Sequence, residues 1–559
     1  MKRSLVAVGV TAAALAYDPL ALAADPKRVA ALLLAMVLGG FVLAQGSASK
    51  PTGAWPGPLA LFAAFSAVSA ISLTWGSSGG IGDLAIWVGA LAVGAACLQL
   101  PRSERVRAVH ESSAAIGALT AVIAVVQALL GARGAHLHAG HGSSAWAGLL
   151  IAVTFLPTLE LARRVWSAGG FRRWVSLIAL LLHPVGLALT SSRVAIAASL
   201  VALVWYATSR LRRARAPVAL TLFGVLAMAC AACAAAPDTL TRAERAWQGR
   251  VWIWSVSCDA ALGQLVSGVG LGKFAESFLD TQGQRLANLE LDVASRAFVN
   301  ATTAHSDWLQ SLVESGPLAL LLLAASIGLG IRKHHAARSP ACSAALVALA
   351  IAMLGDCPLR QPAIALLAAL LLASAPGGLR APRPRLVAFG TLLVLSGLAF
   401  LSTRQWFGMR LVTRSKLALP AERAALLASA VRVDPLSGEA HLERGLSLLE
   451  AGDAREALAE LERSRALLPD VGTDVAIASA ATSVADLPRA RLALERALRR
   501  HPASFKAHVS YAALELAVGN LEAAEEHLAK SASLWPGHPR LAPLREAVRR
   551  AKVERESGG

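Results

Sequence analysis

The chain has 559 residues, of which 55% are hydrophobic and 16% are charged, and its mean hydropathy is +0.54. A soluble protein of this length would carry more charge, so the composition excludes an ordinary soluble chain and places most residues in lipid. The net charge of +18 would suit a nucleic-acid partner if it were clustered. Because the basic residues fall instead in alternate connections between apolar runs, the charge indicates membrane topology and no nucleic acid.

Apolar runs of about 15 to 20 residues recur along the chain, each long enough to cross a hydrocarbon layer of roughly 30 Å. The alternation of basic and poorly basic connections places the N-terminus in the cytoplasm and everything beyond residue 403 in the periplasm. We predict about 12–13 spans, near residues 4–23, 29–45, 58–75, 81–99, 113–130, 145–161, 174–190, 194–208, 217–236, 317–331, 341–355, 361–375 and 386–402.

Two segments lie outside these runs. Residues 237–316 form a large outer loop within a transmembrane domain of residues 1–403, and residues 404–559 form a tail. Prolines in the tail recur at a spacing of 34, 33 and 34 residues, and an alanine stands twelve residues before each of the last three; the prolines are Pro435, Pro469, Pro502 and Pro536, and the alanines are Ala457, Ala490 and Ala524. This pattern resembles the tetratricopeptide repeat over about 130 residues.

The predicted fold is therefore all-α: a polytopic membrane helix bundle followed by an α-solenoid of tetratricopeptide-like repeats. The repeat domain is expected in the periplasm. It either supports the bundle or offers a surface to a periplasmic protein partner, and the sequence leaves both roles open.

Two arginines outside the cytoplasmic connections are candidates for binding an anionic group. Arg193 lies in a short connection between two apolar runs, where an unpaired cation near hydrocarbon is costly. Arg250 is flanked by Trp247, Trp252 and Trp254, which are typical of a helix in the membrane interface. The alternatives are that Arg193 reaches to lipid headgroups and that Arg250 is an interfacial anchor.

His305 stands at the start of the segment that leads into the tenth apolar run. Positions i+3, i+4 and i+7 from it are Trp308, Leu309 and Leu312, which would form one helical stripe, with Asp307, Gln310 and Glu314 on the opposite side. The pattern predicts that His305 is helical and points into the outer mouth of the bundle. A neutral imidazole there can accept a proton, although a structural histidine would fit the same pattern.

Two other clusters are weaker candidates for a metal. His136, His138 and His141 have an HxHxxH spacing that could bind zinc, but an obvious fourth ligand is missing. Glu290 and Asp292 form an acidic pair in the outer loop, where ordinary loop acids are the simpler interpretation. We predict no metal site and no cofactor.

Four motifs in order carry a resemblance to a known family. They are Thr-Ser-Ser-Arg at 190–193, a Gly-Arg pair at 249–250 followed by tryptophans, GVGLGKF at 268–274, and His305 followed by Leu309-Gln310, Glu314 and Gly316. Together they resemble the O-antigen ligase and O-antigen polymerase family over residues 113–375. Two positions depart from the family pattern: Ser306 replaces the usual asparagine after the histidine, and Val194 replaces the usual glycine after the arginine.

The resemblance implies transfer of a glycan from undecaprenyl diphosphate to an acceptor hydroxyl at the periplasmic face of the inner membrane. It assigns Arg193 and Arg250 to the diphosphate and His305 to catalysis, as general base or as the group that orients the acceptor. Glu314, Asp307 and Trp308 are candidate supporting residues. The acceptor could be a glycan or a lipid, as in lipopolysaccharide or exopolysaccharide assembly.

Other functions remain open at this level. A polymerase of lipid-linked repeat units and a protein O-oligosaccharyltransferase would use the same donor and the same motifs. A transporter of lipid-linked glycans would also need anion-binding arginines, but it predicts functional charges near the bilayer midplane and symmetry between the two halves of the chain. The sequence offers neither, so we predict a metal-independent glycosyltransferase.

Overall fold

The structure is a computed structural model, and it describes residues 3–20, 24–44, 55–132, 137–166, 170–210, 237–377 and 384–557. Most of these residues are helical, and they form two compact units. The first unit contains residues 1–254, 264–272 and 303–406. The second contains residues 255–263, 273–302 and 407–559. The predicted ninth span (217–236) lies outside the described residues.

The first unit is a bundle of apolar helices. Its members and the helices that lead from it are α1 (Arg3–Leu15), α2 (Ala24–Ala44), α3 (Gly57–Ser72), α4 (Gly79–Cys97), α5 (Arg102–Leu129), α6 (Ser144–Trp166), α7 (Phe171–Thr190), α8 (Arg193–Arg210), α9 (Pro237–Leu262), α12 (Asp307–Ala336), α13 (Pro340–Gly355), α14 (Pro362–Ala373) and α15 (Pro384–Ser415). Two short helices, α10 (Phe274–Leu286) and α11 (Leu291–Ala297), lie between α9 and α12 and belong to the second unit.

The all-α class and the membrane bundle are confirmed. Six described helices are long and apolar enough to span a membrane: α4 to α7, α12, and α3 together with the 3-10 turn that ends at Trp75. Three predicted runs correspond to shorter apolar helices, namely α1, α13 and α14. At about 1.5 Å per residue the 12 residues of α14 span only about 18 Å, which is too short for a complete crossing. The number of spans therefore stays a prediction.

Packing around α12 positions the candidate site. Helix α3 packs along α12, α8 along α13, and α4 along α14. Helix α12 is two helical segments joined at Gly316, whose φ of 80° is reached easily by glycine. Pro317 follows it and cannot donate a hydrogen bond to the preceding turn. The first segment of α12 is thereby set apart from the long apolar segment, and it carries Asp307, Trp308 and Glu314.

The repeats of the tail form helical hairpins in the second unit. After the end of α15, the tail contains α16 (Pro420–Val433), α17 (Gly438–Ala451), α18 (Ala454–Leu467), α19 (Val471–Ser483), α20 (Leu487–Arg500), α21 (Phe505–Ala517), α22 (Leu521–Leu534) and α23 (Leu541–Ser557). Helices α17 and α18, α19 and α20, and α21 and α22 pack in pairs.

These pairs confirm the predicted tetratricopeptide-like repeats. The three alanines that precede the prolines, Ala457, Ala490 and Ala524, are fully buried between helices. At Gly445 a Cβ would lie 2.7 Å from the side chain of Leu461, so the small residue permits the close approach of the pair. The spacing of small residues and prolines in the sequence thus corresponds to helix contacts and helix ends.

Part of the outer loop packs with the repeats inside the second unit. The Nε atom of Arg500 donates to Asp280 of α10 at 2.6 Å, and the ring of Phe298 stacks on His501 with centroids 3.8 Å apart. At Gly283 a Cβ would collide with the carbonyl oxygen of Arg499. The hydrogen bond of Arg500 and the stacking of Phe298 therefore hold the loop segment against α20 and the residue after it, and glycine at position 283 permits the close approach.

We expect Arg500→Glu to destabilise the packing of the loop helices by about 3–5 kcal/mol. Arg500 lies among Asp280, Glu276 and Asp474, so a glutamate there would bring four carboxylates together without their cation. Hydrogen exchange of the amides in α10 should become faster. Arg549→Glu is the matched control, because Arg549 is exposed and pairs with Glu546 of its own helix. Unchanged protection of α10 in Arg500→Glu would contradict the anchoring of this loop.

Candidate active site

His305 lies just before α12 and not on it. Its φ of 48° is in the left-handed region, and the helix begins at Asp307 with Ser306 as the N-cap. The Ser306 hydroxyl accepts from the amide of Leu309 and donates to the carbonyl of Met353. The prediction of a helical stripe that starts at His305 is therefore wrong. The helix begins only after the histidine, because Ser306 caps its N-terminus. Ser306, which departs from the family pattern, therefore serves as the N-cap of α12.

Asp356 faces the imidazole of His305. The Nδ1 atom of His305 lies 3.9 Å from Oδ1 of Asp356, and this Nδ1 is buried without a hydrogen-bond partner in the described structure. The histidine side chain is 44% exposed, whereas the aspartate side chain is 11% exposed. The Nδ1 edge of the imidazole therefore faces a carboxylate at a distance longer than a hydrogen bond, and the exposed part of the ring is open to a ligand.

The position of Asp356 is fixed by the backbone. It follows α13 directly, its carbonyl oxygen accepts the amide of Asp307 at 3.1 Å, and its Oδ1 accepts the amide of Cys357. These bonds tie the end of α13 to the start of α12. The His305–Asp356 pair is thereby supported from both helices.

Arg193 is exposed at the first position of α8, beside the end of α13. The next residue, Val194, packs against Gly355, where a Cβ would lie 2.8 Å from a methyl group of Val194. Gly355 immediately precedes Asp356, so this contact brings the segment of Arg193 to the His305–Asp356 pair. The departure of Val194 from the family pattern is accommodated by the absence of a side chain at Gly355.

Arg250 is partly buried on α9, one helical turn before Trp254. The indole Nε1 of Trp254 donates to the carbonyl of Ala304 at 3.0 Å, directly before His305. Residues four apart lie on the same face of a helix, so Arg250 is on the face of α9 that meets this loop. The segments that carry Arg193, Arg250 and His305 therefore meet at one place.

Asp307, Gln310 and Glu314 are buried, although the sequence placed them opposite the apolar stripe. What is corrected is the direction of the two sides: the polar side of α12 faces the interior, where its side chains have polar partners, and the apolar stripe is only partly buried. Oδ2 of Asp307 accepts the amide of Leu359, and Oε1 of Gln310 accepts the amide of Ala304. Trp308 is only partly buried, and its Nε1 donates to the carbonyl of Ala350. Asp307, Gln310 and Trp308 thus fix the first turn of α12 and the loop of His305.

Glu314 belongs to a buried charge cluster. Arg360 forms ion pairs with both Glu314 and Asp83, and the second oxygen of Glu314 accepts the amide of Gly272 at 3.2 Å. Buried charges are stable only when they are paired and hydrogen-bonded. The cluster therefore fixes the position of the Gly-rich turn relative to α4 and α12.

The GVGLGKF motif is a packed turn. The amides of Val269 and Gly270 donate to the carbonyls of Val313 and Glu314, and the carbonyl of Leu271 accepts from the amide of Ser77. Gly270 has a φ of 105°, and a Cβ there would lie 2.7 Å from the backbone of Gly76. Glycine is needed at this position both for the backbone angle and for the close approach.

Residues 176–324 match the family model described as O-Antigen ligase. Over this segment the chain is similar to that family. The match contains Arg193, Arg250, the Gly-rich turn and His305, which confirms the resemblance and supports a ligase or polymerase type of function. Asp356, Arg360 and Asp83 lie outside the matched O-antigen ligase segment and join it through the contacts described above.

Two further comparisons give no functional information. No curated protein matches the chain at a significant level. Among solved structures, the crystal structure of the APC/C hetero-tetramer Cut9-Hcn1 is similar at 12% identity over 94% of this chain and 84% of that chain, with a TM-score of 0.25. A score this low carries no argument about this protein.

The competing candidates have other partners. His141 bonds Thr120 through Nε2, and Nδ1 of His138 accepts the amide of Gly140, while His136 lies outside the described residues. In the loop, Asp292 pairs with Arg296. Within the described ranges no group of three or more His, Cys, Asp or Glu side chains is placed to hold a metal ion.

Sequence reasoning missed Asp356, Arg360 and Asp83. The sequence did contain a signal for them. An acidic or basic residue in or beside an apolar run is a candidate for a functional residue or for an ion pair. Asp83 lies in the fourth predicted span, and Asp356 and Arg360 lie between the eleventh and twelfth. Their partners, however, are distant in sequence: Asp83 and Arg360 are separated by 277 positions.

Proposed function

We propose that the protein transfers a glycan from undecaprenyl diphosphate to an acceptor hydroxyl at the periplasmic face of the inner membrane, without a metal. The observation that carries the proposal is the His305–Asp356 pair, placed where the segments of Arg193 and Arg250 meet. The O-antigen ligase match over these segments supports the same class of reaction. The multi-pass bundle fits a lipid-linked donor.

In the proposed reaction, the acceptor oxygen attacks the anomeric carbon of the glycan. The bond between that carbon and the diphosphate oxygen breaks, and its electrons leave with the lipid diphosphate. His305 takes the acceptor proton on Nε2, and Asp356 stabilises the imidazolium that results. Arg193 and Arg250 stabilise the negative charge that develops on the diphosphate, because guanidinium groups match phosphate oxygens geometrically.

In this proposal, the candidate supporting residues position the segments that surround His305. Asp307 and Trp308 hold the start of α12 to neighbouring backbone, and Glu314 holds the Gly-rich turn. None of these roles needs contact with the substrate. Loss of one of them should therefore disturb the geometry of His305 and leave the chemical groups themselves in place.

A ligase and a polymerase share this donor and this leaving group, and they differ in the acceptor. A protein O-oligosaccharyltransferase would differ in the same way. A transporter would move the lipid-linked glycan without breaking the glycosidic bond, and it would have no use for an imidazole oriented by a carboxylate. The ligase-like function onto a glycan or lipid acceptor is the one that we propose.

A double-mutant cycle on His305 and Asp356 tests the pair. We expect Asp356→Asn to lower the turnover number of glycan transfer by about 10- to 100-fold, because the imidazole loses its orientation and the stabilisation of its charged form. In a chain that already carries His305→Asn, the same substitution should have little further effect, since the two groups act as a unit. Asp292→Asn in the outer loop is the matched control and should keep normal turnover. Additive effects of the two substitutions would contradict the pairing.

Membrane orientation follows from the distribution of basic residues. We expect reporter fusions after residues 215 and 385 to behave as cytoplasmic and fusions at about residues 280 and 420 to behave as periplasmic. Reporter pairs active only on one side of the membrane measure this directly. A cytoplasmic reporter signal at residue 420 would contradict the proposed position of the repeat domain.

A further inference from the structure

The second unit contains a groove of about 1020 Å³ between α10 and the repeat helices α20 to α22. We call it the loop–repeat groove. Its lining includes Gln284 and Leu289 from the outer-loop segment and Glu495, Tyr511 and Lys530 from the repeats. A cavity of this size accommodates a ligand of several rings.

The walls of the groove are held by direct contacts. Arg500 of the repeat wall pairs with Asp280 of the outer-loop wall where the two walls touch, and the ring of Phe298 stacks on His501. Such contacts keep the groove open without a ligand, so little ordering is required on binding. A preformed groove is expected to select its ligand by charge and shape.

The lining carries more positive than negative charge. Four cations line the groove (Arg496, Arg499, Arg500 and Lys530), against two carboxylates (Asp280 and Glu495). Arg500 is held by Asp280, and Arg496 is held by Asp474. Arg499 is exposed. In the described structure, the ion pair of Lys530 is with Glu526, an exposed residue of the same helix. Since such surface pairs are weak, both cations can bind an incoming anion.

The groove lining also includes three uncharged rings, those of His508, Tyr511 and His527. Nε2 of His508 donates to the carbonyl of Pro502 at 2.8 Å, so its Nδ1 accepts from Nδ1 of His527 at 2.9 Å. Burial lowers the pKa of His508 to about 4 and also lowers that of His527, so both rings are neutral near pH 7. The ring of Tyr511 stacks on His527 with centroids 4.2 Å apart.

We propose that the loop–repeat groove binds the acceptor glycan as an acidic oligosaccharide, with its acid groups on Arg499 and Lys530 and a sugar ring against Tyr511 and His527. The inference rests on the proposed function, because the reaction at His305 requires a glycan or lipid acceptor. The outer-loop wall of the groove continues along the chain to the segment of His305. An acidic peptide would satisfy the cations, but stacked uncharged rings that line the same groove as two cations match a sugar acid better.

Binding to the purified full-length protein tests this assignment without any transfer reaction. The probe is tetragalacturonate, and maltotetraose is the neutral probe of matched length. We expect Arg499→Glu and Lys530→Glu each to weaken tetragalacturonate binding by about tenfold, the loss expected for one charge-assisted hydrogen bond. Arg549→Glu on α23 is the control and should bind as the unchanged protein does. Arg499 is exposed and Lys530 is partly exposed, and unchanged thermal unfolding of the variants checks that the fold is intact.

The outcomes separate this inference from the proposed function. Unchanged tetragalacturonate binding in both groove variants, or equal binding of maltotetraose, overturns the acidic-glycan site even if transfer at His305 stands. Tighter binding of tetraglutamate than of tetragalacturonate assigns the groove to a peptide and also overturns it. Loss of binding in the variants supports the site whether or not the transfer reaction is the one proposed. Where an acidic acceptor is used in transfer, its KM should rise about tenfold in Lys530→Glu with kcat unchanged.

Discussion

Replacement of His305 by asparagine is expected to lower the turnover number of glycan transfer by about 10²–10⁴-fold, the usual contribution of a general base. Asparagine is a better probe than alanine, because it tolerates the left-handed backbone at this position while it removes the proton acceptor. The measurement is the initial rate of transfer by purified protein at saturating donor and acceptor.

A control at the far end of the same helix separates this effect from general disturbance. His335→Asn changes a histidine in the last turn of α12 and should leave turnover unchanged. Turnover of His305→Asn within a factor of about two of the unchanged protein would contradict the assignment of His305 as the base.

Replacement of Arg193 or Arg250 by alanine is expected to lower turnover by about 10²–10³-fold, as removal of a group that stabilises transition-state charge does. The loss should appear in kcat, because the negative charge on the diphosphate grows as the glycosidic bond breaks. Lysine should restore little activity, since an ammonium group cannot form the two parallel bonds of a guanidinium fork.

Matched controls exist for both arginines. Arg210→Ala changes the opposite end of α8, and Arg296→Ala removes an exposed ion pair of the outer loop. Membrane insertion and protein amount must be normal in every variant. If both alanine variants retain full turnover, these arginines do not bind the leaving group; if lysine restores full turnover, a point charge is sufficient and the fork is not required.

The helices of both units could be predicted because their signals are local. An apolar run specifies a membrane helix through its own composition, and the alanines and prolines of the tail, such as Ala490 and Pro502, specify each hairpin within one repeat. Lengths were predicted less well. The short helix Pro362–Ala373 is buried throughout, and an apolar sequence alone does not distinguish a buried short helix from a complete crossing.

The candidate site could be predicted only in part. Arg193 and His305 belong to sequential motifs, whereas the approach of Asp356 depends on the packing of α12 against α13, which no local pattern encodes. The helical stripe from His305 failed because one hydroxyl, that of Ser306, caps the helix and leaves the histidine in the left-handed region. Three-dimensional packing also reverses the expectation for Glu314, which is buried by its pairing with Arg360.

The central claim is that this protein breaks the bond between a glycan and its lipid diphosphate and forms a new glycosidic bond. The most direct measurement is the amount of undecaprenyl diphosphate released per glycosidic bond formed by purified protein, with a defined donor and acceptor and with a chelator present. We predict stoichiometric release that persists with the chelator and is lost in Arg193→Ala. Movement of intact donor across a vesicle membrane without release of undecaprenyl diphosphate would contradict the claim and identify a transporter, and inhibition by the chelator would contradict the metal-independent mechanism.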